Sequence, residues 1–97
     1  MILHTVNKSP FTSQCLNDCL NVCVKGDSVL LIEDGVYAAA AGETSEKLTA
    51  APATLYALKA DLEARGLLQR IRESITVVDD SGFVELAVRH DQVVSWY

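Results

Sequence analysis

Short runs of consecutive apolar and β-branched residues alternate along the chain with stretches whose apolar positions recur every three or four residues. The first kind reads as strands and the second as helices, because a strand buried on both faces is apolar throughout whereas a helix repeats near 3.6. Five strands are predicted, at Ile2 to Val6, Ser28 to Ile32, Thr54 to Leu58, Ser74 to Val78 and Gln92 to Trp96. Val29 to Ile32 is a continuous apolar, β-branched run and belongs near the sheet centre.

Between the strands, Thr12 or Ser13 caps a first helix that runs to about Val24, with Gly26 just beyond its end. Asp34-Gly35 turns the chain into the Ala-rich segment Val36 to Ala41, too short to hold a helix without tertiary packing, with Gly42 marking its end. The polar stretch from Glu43 leads to Pro52, which keeps the entry of the next strand extended. Asp61 to Gly66 has the acidic start and glycine stop of a short helix. Asp79 and Asp80 precede an apolar-periodic segment from Phe83 to about His90 and read as its caps rather than as paired catalytic carboxylates. The alternation predicts an α/β fold: one domain over residues 1–97, three α/β/α layers, and a five-stranded, mainly parallel sheet.

Composition narrows the functional classes. With 97 residues, 49% hydrophobic and 22% charged, the chain can bury one core and is not a disordered segment. A net charge of -5 has the wrong sign for neutralising phosphates, so direct nucleic-acid binding is not expected. The longest apolar runs fall short of the roughly 18 residues of a membrane span, and the start Met1-Ile2-Leu3-His4 lacks the features of a secretory signal, which makes the cytoplasm the expected location. No G-x-G-x-x-G, Walker loop or H-E-x-x-H occurs, and no cofactor is expected.

The chemistry lies in Cys15, Cys19 and Cys23, an odd count that argues for reduced thiols. Spaced four apart on a helix, successive thiols drift by about 40° and form one slanted stripe. Leu16, Leu20, Cys23 and Val24 define the expected core face, and Asn17, Asp18 and Asn21 the polar face. Cys23 is therefore expected in the core as a small apolar filler. Cys19 is placed at the margin beside Asp18, and Cys15 further out in the first turn, where the helix dipole favours a thiolate. Zinc is disfavoured, since a structural site needs four ligands on short hooks and only His4 and His90 are available to help. His4 is a weak candidate for a base beside a thiol, a hydrogen-bonded structural histidine being the commoner outcome. Trp96 and Tyr97, together with Val36 to Ala41, are candidates for burial against another subunit.

The opening LHTVNKSPF, the cysteine-bearing helix, LIEDGVYAA, YALKADLEARG and the close FVELAVRHDQVVSWY together resemble the TusB/DsrH family of sulfur-relay subunits, nearly end to end. The resemblance implies a DsrEFH-like fold and a subunit that joins TusC/DsrF-type and TusD/DsrE-type partners in a dimer of heterotrimers. In such relays sulfur moves as a persulfide from cysteine to cysteine and passes to a TusE/DsrC-type acceptor, with the principal accepting cysteine assigned to the TusD/DsrE-type partner. The implied function is support of 2-thiolation of the tRNA wobble uridine, as a sulfur carrier or scaffold rather than a stand-alone enzyme. A DsrH-type subunit in dissimilatory sulfur oxidation and a purely architectural subunit with inert thiols are the alternatives. The first-helix cysteine of DsrH-like sequences matches Cys19, in the string LNDCL, which makes Cys19 the candidate persulfide carrier.

Overall fold

A computed structural model describes residues 1–40, 48 and 50–97. Five strands, β1 (Ile2–Val6), β2 (Ser28–Leu31), β3 (Thr54–Leu58), β4 (Thr76–Val78) and β5 (Gln92–Trp96), form one sheet in the order β4-β3-β2-β1-β5. Every pairing between these five strands is parallel, with His4 opposite Val29 on one side and Val94 on the other. The expected strands are present, and β2, with all four residues buried, lies at the centre.

The strand order decides which face each helix covers. From β1 to β4 the chain steps in one direction across the sheet, then returns past β1 to place β5 at the far edge. Right-handed crossovers put the first connections on one face and the last on the other. Accordingly α1 (Cys15–Val22), a 3-10 helix (Glu33–Ala39) and α2 (Lys59–Ala64) supply Leu16, Cys19, Val36, Ala38, Ala39 and Leu62 to the larger apolar cluster, with Val6, Val29, Leu31, Leu55 and Ala57 of the sheet. On the opposite face α3 (Asp80–Arg89) sets Leu86 against Leu3 and Leu30. The three-layer arrangement matches the expectation.

Several boundaries differ. The first helix begins at Cys15, with Gln14 in the cap position instead of Thr12 or Ser13, although Ser13 Oγ still accepts the Cys15 N–H at 3.1 Å. It stops at Val22, because Cys23 is already extended, and Val24 leaves the helical phase and turns to solvent instead of the core. The segment offered as subunit-facing surface from Val36 is also corrected: Val36, Ala38 and Ala39 are buried within this chain's own core. Gly35 makes that possible, since a Cβ there would overlap the carbonyl of Val6. Ala41, Gly42 and most of the polar stretch from Glu43 lie outside the described residues. Asp79 does cap α3, its side chain accepting the Gly82 N–H at 2.8 Å. Gly66, φ 67°, ends the turn after α2. Trp96 is half-buried against the larger cluster, and Tyr97 remains exposed. Among the described residues, no helix is long and apolar enough to cross a membrane.

Candidate functional site

The thiols sit where α1 lies over the sheet, and their order of exposure differs from the expected one. Cys15, at the first helical position, is partly exposed. Cys19 is completely buried, at 0% relative exposure, so its predicted marginal position is overturned. The helix is short and rotated so that Leu16 and Cys19 face the sheet, while Leu20 takes the margin. Cys23 is buried as expected, with its Sγ 4.0 Å from that of Cys19.

Burial is the main influence on both sulfurs. It disfavours the thiolate and pushes the Cys19 thiol well above its ordinary range, with the neighbouring Cys23 and the Asp27 carboxylate acting in the same direction. Cys23 is also raised by burial and by Asp27, partly offset by its contact with Cys19. Asp18, the sequence neighbour of Cys19, is exposed on the outer side of α1. In the isolated chain Cys19 is therefore a protonated interior thiol.

Below the thiols, β1 supplies His4, buried and held on both ring nitrogens. The indole N–H of Trp96 donates to Nδ1 at 3.1 Å, which leaves the proton on Nε2 to be donated to Asp27 Oδ2 at 3.2 Å. The neutral tautomer is thus set by one donor and one acceptor. Asp27 also accepts the backbone N–H groups of Ile2 and Val24. Its burial works against the charge, but these hydrogen bonds and His4 prevail and hold the carboxyl below its usual range. Asp27 thereby ties the start of β1, the exit of α1 and the His4 ring together.

His4, Cys19 and Cys23 are brought together, their ligand atoms all within 4.8 Å of one another. His90, the other histidine considered, is not part of this group: Ser28 Oγ and the Leu86 carbonyl occupy its ring nitrogens. A surface hollow of about 690 Å³ lies along the outer side of α1, lined by Asn17, Asp18, Asn21 and Pro52 among others, but contains none of the three ligand side chains. Sequence reasoning missed Asp27 and the Trp96–His4 bond. An acid just before the apolar run Val29 to Ile32 was the available signal for Asp27, since a charge there must be hydrogen-bonded if it is buried.

Residues 8–93 match the model of a family described as DsrH like protein. Protein TusB of Erwinia tasmaniensis is 48% identical over 96 residues, covering 98% of this chain and all of the relative. Protein TusB of Serratia proteamaculans is 44% identical over 97 residues, with the same coverage. Among solved structures, the ychN protein from E. coli superimposes with a TM-score of 0.81 at 17% identity, covering 98% of this chain and 97% of the other. At that identity the likeness concerns the fold. Protein Tm0979 from Thermotoga maritima gives 0.67 at 24% identity, covering 91% and 92%.

Proposed function

The chain belongs to the DsrH-like family, and from this we propose that it is a subunit of a cytoplasmic sulfur-relay complex that supports 2-thiolation of the tRNA wobble uridine. The observation that carries the reading is the match to relatives named TusB along their full length. The partners in this reading are TusC/DsrF-type and TusD/DsrE-type subunits, together forming a heterohexamer that delivers persulfide sulfur to a TusE/DsrC-type acceptor. The burial of Cys19 supports an architectural contribution, in which this chain shapes the complex and the partners carry the sulfur.

A second reading keeps Cys19 as a persulfide carrier. It is favoured by the construction of α1, which has eight residues, no side-chain cap at Gln14 and an extended residue directly after Val22. So short a helix depends on its packing, and a partner that displaced it would uncover Cys19. Sulfur oxidation is the rival pathway; sulfite reductase genes beside this one would favour it.

The test uses a strain lacking the gene. Loss of 2-thiouridine from tRNA, restored by the wild-type chain, supports thiolation, and unchanged 2-thiouridine refutes it. Restoration by Cys19→Ala selects the architectural reading. If Cys19→Ala fails to restore thiolation while still co-purifying with the partners, and wild-type Cys19 carries added sulfur by mass spectrometry, the carrier reading holds.

A further inference from the structure

His4, Cys19 and Cys23 form a buried set of one imidazole and two thiols whose donor atoms are already collected within 4.8 Å. The two sulfurs are 4.0 Å apart, close to the roughly 3.8 Å between two thiolates placed about 2.3 Å from one tetrahedral ion. Asp27 receives the Nε2 proton of His4, so Nδ1 presents a lone pair, at present taken by the Trp96 indole. A carboxylate that fixes one ring nitrogen while the other binds an ion is the usual outer-shell arrangement of metal-bound histidines. We propose that this buried side-chain cluster binds one thiophilic d10 cation, Zn2+ or Cu+, through the sulfurs of Cys19 and Cys23 and the ring of His4.

The donor set selects the ion class. Sulfur and imidazole suit Zn2+ and Cu+, whereas Ca2+ and Mg2+ require oxygen ligands. On binding, two S–H bonds break, two metal–sulfur bonds and one metal–nitrogen bond form, two protons leave to solvent, and no group changes oxidation state. The ring nitrogen of His4 that takes the ion gives up its present partner, the Trp96 indole at Nδ1 or Asp27 at Nε2, and the other nitrogen keeps its hydrogen bond. Zn2+ would neutralise both thiolates and take a fourth donor, such as water. Cu+ would be satisfied by three donors. The site does not depend on the relay reading, because it uses only side chains of this chain.

The full chain, reduced and without oxygen, is titrated with Zn2+ alone and with Cu+ alone against a competing chelator. Native mass spectrometry gives the stoichiometry, and the emission of Trp96, the single tryptophan, reports the change at its hydrogen-bond partner His4. Expected are one ion per chain, a change in Trp96 emission, and affinity lowered at least about tenfold by Cys19→Ala or Cys23→Ala but unchanged by Cys15→Ala. Should an alanine variant not fold, the wild-type chain still decides: the bound ion must slow alkylation of Cys19 and Cys23 in denaturant and leave Cys15 unaffected. Uptake of either ion in this pattern supports the site, and the ion taken up identifies the occupant. Binding of neither ion, binding abolished by Cys15→Ala, or binding indifferent to the Cys19 and Cys23 variants overturns it.

Discussion

Asp27 Oδ2 stands 3.2 Å from His4 Nε2 beneath α1, and the same buried carboxylate accepts the backbone N–H groups of Ile2 and Val24. Removing it leaves three buried or half-buried donors without their acceptor, and Asp27→Ala is expected to lower unfolding stability by about 3 kcal/mol, with Asp27→Asn costing less. Urea unfolding measures both, and equal stability of wild type and Asp27→Ala would show that these bonds contribute nothing net.

The same group predicts an acid limb. Its folded carboxyl is more acidic than the unfolded one, whose pKa is about 3.9. The associated stability is therefore fully present above that value and declines as pH falls through the folded pKa. Stability measured from pH 6 downward should fall less steeply in Asp27→Asn than in wild type, and parallel curves would contradict this.

Gly35 lies where a side chain would meet the Val6 carbonyl, a backbone atom that cannot swing aside. Gly35→Ala should destabilise by about 3 kcal/mol through forced displacement of the 3-10 helix from β1. A melting temperature equal to wild type would refute the contact.

Thiol exposure predicts an order of reaction. A thiol reagent should modify Cys15 in the folded chain, while Cys19 and Cys23 react only as it unfolds. Peptide mapping at successive times checks this, and early labelling of Cys19 would reveal opening of α1 in the isolated chain.

The α3 layer rests on unequal supports. Leu86 is its fully buried side chain, so Leu86→Ala should cost about 3 kcal/mol. Asp79→Ala removes a single capping bond and should cost about 1 kcal/mol. Denaturant unfolding of both variants tests the ranking, which would fail if the cap mattered more.

The sequence by itself determined the alternation of strands and helices, because β-branched runs such as Val29 to Ile32 and stop residues such as Gly66 act through local backbone preferences. It also determined the cap at Asp79, which lies within a few residues of its cause. Only the tertiary structure decided that Cys19 is sealed and Leu20 marginal. The rotation of an eight-residue helix is set by the sheet beneath it, and four-residue spacing constrains that rotation too weakly. The pairing of His4 with Asp27 spans 23 positions and that of His4 with Trp96 spans 92. No local pattern encodes either bond: β5 reaches Trp96 to His4 only because the last crossover returns it beside β1.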